Sequence, residues 1–154
     1  MMLLALAAGI FALDYKIKEY VNSEWLQGSR QEILHGRLIL RNCHNHGFSG
    51  ILKPINPAYG TEISGLVLGG VIWEFLRQTV AGGRKTARLG LALVLGGGAG
   101  NYAERRRKGF VTDYVSLGVG NSKIRKWVFN FSDVCIVLGG LSWAGASLLP
   151  KKKK

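Results

Sequence analysis

Two cysteines in 154 residues are too few for a disulfide framework, and Cys135 sits in an apolar stretch while Cys43 sits in a polar one. They are not expected to pair, and a thiol in apolar surroundings behaves as a small apolar side chain, so the cysteines give no reading of the redox compartment. Acid is scarce as well: nine Asp and Glu stand against 21 Lys and Arg, a formal charge of +12. A surplus of that size points to nucleic acid or to an anionic membrane surface. Nucleic-acid binding needs aromatics interleaved with cations on one face, and only Lys123-Ile124-Arg125-Lys126-Trp127 has that composition. It reads more simply as a headgroup anchor, so no nucleic-acid partner is expected. No Ser-His-Asp or reactive Cys-His arrangement is legible, because His35, His44 and His46 lie in one polar stretch far from Cys135. The glycine-rich run at 96–100 lacks the Gly-Lys-Ser/Thr ending of a phosphate loop and reads as helix-packing surface. Cys43-His44-Asn45-His46 offers metal-ligand types, but adjacent side chains diverge and no second cluster appears, so neither a metal nor a cofactor is expected.

What is present is apolar sequence in blocks. Hydrophobic residues make up 47% of the chain, and they cluster into four segments at about 1–21, 63–81, 87–102 and 127–149. A membrane-crossing helix needs about 20 mostly apolar residues, so the expected fold is mainly α, a polytopic membrane protein of one domain with four transmembrane helices. The first segment also has the length of a signal-peptide core, but no basic residue precedes it and no clear cleavage site followed by a soluble domain is seen. Gly65 and Gly69, and Gly96 and Gly100, have the spacing that lets helix backbones approach closely in lipid. Glu74 and Arg77, three apart, share a helix face.

Arg77, Arg84, Lys85 and Arg88, with the lysines at 151–154, place the connection between segments two and three and the C-terminus in the cytoplasm. Four crossings then put the N-terminus there too, leaving 22–62 and 103–126 outside. One feature opposes this rule: the outer connection carries Arg105, Arg106, Arg107, Lys108, Lys123, Arg125 and Lys126. In the other outer region, turn residues surround Leu38-Ile39-Leu40, and a small extracytoplasmic β element is expected there.

Ionisable residues beside apolar spans are costly and need partners, so each is a functional candidate. Asp14 ends the first segment, Asp113 lies in the outer connection, and Asp133 opens the fourth segment. If segments three and four are antiparallel neighbours, Asp113 and Asp133 converge at one membrane face. Two close carboxyls in a low-dielectric site share a proton, so one can activate water while the other stabilises an oxyanion. The residues alone leave a plainer alternative open, with Asp133 capping its helix and Asp113 paired to the basic run 105–108. An ion-relay or transport subunit is a further alternative, although a relay should distribute acids through the depth of the bilayer.

The motifs narrow this. Gly100-Asn101-Tyr102-Ala103-Glu104-Arg105, Gly109-Phe110-Val111-Thr112-Asp113-Tyr114 and Phe129-Asn130-Phe131-Ser132-Asp133 resemble, in order, the Gly-Asn-x-x-Asp-Arg, Gly-x-Val-x-Asp-Phe and Phe-Asn-x-Ala-Asp signatures of signal peptidase II, an intramembrane aspartyl peptidase family. Asp14-Tyr15-Lys16-Ile17-Lys18 is similar to its Asp-x-x-x-Lys element, and Asn45-His46-Gly47-Phe48-Ser49 to its Asn-x-Gly box. The resemblance implies a multi-pass enzyme of the bacterial inner membrane, with both termini cytoplasmic and its active site at the extracytoplasmic face. Its substrate would be a lipid-modified prolipoprotein, cleaved just before the diacylglyceryl cysteine. It further implies catalysis by Asp113 and Asp133, with Asn101, Arg105 and Asn130 holding the dyad and the substrate backbone. Asp14, Lys18, Asn45 and Gly47 would take structural or substrate-pocket positions. A monomer in contact with membrane lipids is expected. Three departures stand out: Glu104 for the usual Asp, a shortened Asn-x-Gly box, and Tyr114 for Phe. The first two keep a non-catalytic membrane assembly factor of the same fold as an alternative.

Overall fold

A computed structural model describes residues 1–47 and 57–149. Phe48, Ser49 and Gly50 beside the Asn-x-Gly box, and Pro150 with the lysines at 151–154, lie outside the described residues. In chain order the elements are α1 (Met2–Glu24), β1 (Arg30–Ile33), β2 (Leu38–Asn45), α2 (Pro57–Val80), α3 (Lys85–Lys108), β3 (Val111–Leu117), α4 (Ser122–Lys126), β4 (Val128–Phe129) and α5 (Phe131–Leu148). The chain is mainly helical with a small antiparallel sheet.

Helix α3 is the centre of the bundle, and its glycines explain why. A Cβ on Gly96 would stand 2.7 Å from the Ala7 carbonyl oxygen, one on Gly97 2.6 Å from that of Ser132, and one on Gly90 2.5 Å from that of Gly139. Only a bare backbone lets α1 and α5 come this near, the small-residue packing that association in lipid favours. The contacts also set direction. Ala7 meets Gly96 and Asp14 meets Gly100, so α1 runs parallel to α3, whereas Ser132 meets Gly97 and Gly139 meets Gly90, so α5 runs antiparallel. Gly65 lies against Tyr102 and Leu68 against Gly98, which lays α2 antiparallel on another side. Gly69 departs from the expected close approach, with nothing within 4 Å of a Cβ placed there. Helix α2 meets α3 through Ser64, Gly65, Leu68 and Phe75, and Gly69 lies off that line.

The bundle buries charge and exposes hydrocarbon. Asp14, Lys18, Glu104, Arg105 and Asp113 are buried, while Leu66, Val67, Trp73, Val137, Leu141 and Leu148 are exposed. Water would reverse that distribution, and lipid accommodates it. By length and composition, one helix among the described residues, α5, is long and apolar enough to cross a membrane. At its far end Arg84 donates to the carbonyls of Ala146 and Leu149, holding the start of α3 against the end of α5. Arg77 pairs with Glu74 at 2.7 Å, as their spacing predicts.

The sheet has the order β1-β2-β3-β4, every pair antiparallel. Leu38-Ile39-Leu40 opens β2, and a bulge between Leu40 and Cys43 re-aims its second half. Strand β3 comes from the outer connection at 103–126, and β4 from the first residues of the apolar segment at 127–149. Strand β3 carries Asp113 opposite Cys43, and β4 pairs Phe129 with Val115. The last helix therefore starts at Phe131 rather than at Trp127, where the apolar run begins. Gly109 ends α3 in the left-handed region at φ 79°, and its amide closes on the Arg105 carbonyl. That turn sends the chain straight into β3.

Candidate active site

Three helices and the sheet meet at one end of the bundle, and the polar residues that the apolar pattern leaves unexplained gather there. Asn130 sits between the two acids. Its Nδ2 donates to Asp113 Oδ1 at 2.7 Å, its Oδ1 accepts from the Asp133 amide at 2.9 Å, and its own amide donates to Asp133 Oδ2 at 3.2 Å. The last two bonds are a capping box, in which Asn130 and Asp133 satisfy each other's free groups at the start of α5. Asp133 thus does cap its helix, and the same bond fixes where its carboxylate points. Asp113 makes no ion pair within 4 Å to Arg106, Arg107 or Lys108 among the described residues; Asn45 Nδ2 donates to its other oxygen at 3.0 Å. The Gly47 amide donates to Asn45 Oδ1 at 3.1 Å, locking the orientation of that amide. Burial first, and the negative charge of Asp133 second, push the Asp113 carboxyl up to about 7.

A second tier supports the first. Asn101 Nδ2 donates to Asp133 Oδ1 at 2.9 Å, while Asn101 Oδ1 accepts from Lys18 Nζ at 2.6 Å. The buried Lys18 ammonium lies 2.7 Å from Asp14 and 3.5 Å from Glu104. Asp14 in turn accepts the Ser132 amide at 3.1 Å, joining the end of α1 to the start of α5. Glu104, the longer acid at its position, accepts both the amide and the hydroxyl of Thr112, at 2.9 and 2.7 Å, and the Lys108 ammonium at 3.0 Å. Arg105 is buried, donates to Ser64 at 3.2 Å and lies within electrostatic reach of Asp113, Asp133 and Glu104.

All ten residues singled out in the sequence, Asp14, Lys18, Asn45, Gly47, Asn101, Glu104, Arg105, Asp113, Asn130 and Asp133, fall into this one connected region. Four further participants were missed. Thr112 fastens the residue before Asp113 to Glu104. Asn22 donates to Thr112 at 2.7 Å and lies 3.0 Å from His44 Nε2. His44 stacks on Phe110 with ring centroids 3.8 Å apart, so this histidine of the Cys43-His44-Asn45-His46 run is engaged in the wall of the site. Tyr114 accepts the Phe131 amide at 2.9 Å. Thr112 and Tyr114 flank Asp113 inside the motif and were readable as its neighbours; Asn22 has no sequence signal beyond lying one turn after Lys18.

The model of signal peptidase II matches residues 6–149 of the chain. The chain belongs to the signal peptidase II family. The lipoprotein signal peptidase of Lactiplantibacillus plantarum is 30% identical over 139 residues, covering 88% of this chain and 87% of that protein. The lipoprotein signal peptidase of Moorella thermoacetica is 30% identical over 149 residues, 96% of this chain and 93% of its own length. A bacterial membrane enzyme whose structure was determined by the in meso method at 1.9 Å superposes with a TM-score of 0.76 at 17% identity, over 99% of this chain and 94% of that one. At that identity the superposition speaks for the fold, and the family match makes this chain a membrane protein and a peptidase.

Proposed function

We propose that this chain is an aspartyl endopeptidase that removes the signal peptides of diacylglyceryl-modified prolipoproteins, with Asp113 and Asp133 as its catalytic pair. The observation that carries the proposal is the Asn130 bridge, which ties the buried Asp113 and the half-buried Asp133 to one amide side chain while burial and Asp133 hold the Asp113 carboxyl up to about 7. In the reaction a water lies between the carboxyls. Asp133 accepts its proton as the oxygen attacks the scissile carbonyl, and protonated Asp113 donates to the developing oxyanion. Collapse of the tetrahedral intermediate passes a proton to the leaving nitrogen, so the pair ends with one proton, as it began. Arg105 and Asn101 keep the second acid and the peptide backbone aligned, and Asn45, steadied by Gly47, does the same for Asp113.

The helices of 23, 24, 24 and 18 residues fall in the range of about 17–25 residues that crosses a bilayer. We read all four as spanning the bacterial inner membrane. The basic turn between α2 and α3 lies at the opposite end of α3 from the acids. A cytoplasmic turn therefore puts both termini in the cytoplasm and the acids and sheet at the extracytoplasmic face. The exposed apolar flanks are the lipid contact, and the enzyme acts as a monomer.

Asp113→Asn and Asp133→Asn are each expected to slow cleavage of a diacylglyceryl prolipoprotein in lipid by about 10²- to 10⁴-fold while the variants keep the unmodified melting profile. In the unmodified protein the rate is expected to fall as pH rises through about 7, because Asp113 then loses the proton that the oxyanion requires. Full cleavage by either variant defeats the pair. An unmodified protein inert toward every lipoprotein substrate would instead favour a non-catalytic assembly factor.

A further inference from the structure

The outer connection carries cations that neither the orientation rule nor the chemistry of the acids uses, and the fold gathers some of them around a single cleft. Arg30 and Arg41 stand directly opposite each other on β1 and β2. Like charges at a paired position repel, and such a pair persists where an anion or solvent neutralises it. Arg41, Ile39 and Arg30 form one side of a cleft of about 340 Å³, and Arg125 and Lys126 of α4 form the other. Arg30 has Glu32 at 2.5 Å, while Arg41, Arg125 and Lys126 have no carboxylate partner among the described residues. The Arg41 Nε atom is buried without a hydrogen-bond acceptor among them. A buried guanidinium N–H in that condition calls for an anionic oxygen, and the forked guanidinium geometry suits phosphate.

The position of the cleft says where the phosphate comes from. Trp127 follows Lys126 directly, is half exposed, and leads within a few residues into α5. Exposed Ile124 lies beside it, its carbonyl accepting the Trp127 amide at 3.1 Å. Cations next to an exposed aromatic at the start of a spanning helix are the composition of a headgroup contact. We infer that the cleft between the β1–β2 face and α4 binds the phosphate of an anionic phospholipid in the outer leaflet. This rests on the proposed placement of α5 in the membrane and goes beyond the peptidase reading, since none of these cations touches Asp113 or Asp133. It gives the outer connection's positive charge a partner.

The test is native mass spectrometry of the full chain in mild non-ionic detergent with phosphatidylglycerol and phosphatidylcholine in equal amounts. The unmodified chain is expected to retain one phosphatidylglycerol in preference to phosphatidylcholine. The preference is expected to fall about tenfold in the Arg125→Gln, Lys126→Gln double variant, which alters only exposed side chains. Arg41→Gln serves as a second variant on the opposite wall. Equal retention by the unmodified and altered chains, or no preference at all, overturns the site. A rise in melting temperature with inorganic phosphate alone, matched by no lipid retention, would assign the cleft to free phosphate and overturn the lipid source. Retention is read without turnover, so an inactive chain that keeps its lipid would sink the peptidase reading alone.

Discussion

The two halves of α3 hold their neighbours by opposite means. Toward its start, Gly90, Gly96 and Gly97 remove side chains so that backbones touch, and the attraction is dispersion over a tight seam. Toward its end, Asn101, Glu104 and Arg105 project buried polar groups, and the attraction is a web of ion pairs and charge-assisted hydrogen bonds. The seam is indifferent to protonation, while the web is built around it. Each needs the other. A Cβ on Gly100, at the junction, would meet Ser132 Oγ at 2.9 Å and Asp14 Oδ2 at 3.0 Å, so the close approach of the first half brings the charges of the second within bonding distance. Packing sets where the acids are, and the web sets what state they are in.

The comparison breaks most visibly at Lys18. Its ammonium serves Asp14, Glu104 and Asn101 together from a buried position. Lys18→Met leaves two buried carboxylates short of a counter-charge, and breaking such a pair costs about 3–5 kcal/mol. Thermal unfolding in detergent should register the loss. Asp14→Leu added to Lys18→Met is expected to recover part of it, since an apolar pair of similar volume avoids the unpaired charge. A single variant that melts with the unmodified protein would mean that the web contributes little beyond the seam.

The seam is tested by two glycines of different surroundings. At Gly97 a side chain would stand 2.6 Å from the Ser132 carbonyl, next to Asp133, whereas Gly69 has nothing within 4 Å. Gly97→Val is expected to cost about 1–3 kcal/mol by overpacking and to slow cleavage by displacing the start of α5. Gly69→Val, facing outward, should stay within about 0.5 kcal/mol. Equal shifts in melting temperature for the two would deny that backbone contact holds the bundle.

The helices were legible because apolar blocks of near-bilayer length have few other solutions, and the acids were legible because charge beside such blocks needs a reason. The small-residue spacing found Gly65, Gly96 and Gly100 but also offered Gly69, because spacing gives a face and not the neighbour opposite it. Gly90, Gly97 and Gly139, the tightest contacts between helices, obeyed no pattern that marked them out. Strands β3 and β4 were read as connection and as span. Val111–Leu117 is apolar at nearly every other position, but its partner β2 lies more than 60 residues earlier and only the fold brings the two together. Asn22 was invisible for the same reason. Its importance comes from a bond to Thr112 across 90 residues of sequence.

Within the web the smallest effect comes from Tyr114, at its edge. The first amides of α5 have no partners within the helix, and each is taken by a residue from elsewhere. Ser132 donates to the Asp14 carboxylate, Asp133 to Asn130, and Phe131 to the Tyr114 hydroxyl. The Tyr114 hydroxyl is neutral and meets neither acid in any of these bonds, so its bond is weaker than the one to the Asp14 carboxylate. Tyr114→Phe restores the residue usual in the family and is expected to cost about 1 kcal/mol, the net value of one neutral hydrogen bond, with cleavage retained. Asp14→Asn, which weakens the charged acceptor one residue further along, should cost more and also slow cleavage, because it loosens Lys18 and through it Asn101. If the tyrosine variant were the less active of the two, the hydroxyl would be positioning Asp113 rather than only closing the helix end, and the boundary between packing and chemistry would have to be drawn through β3.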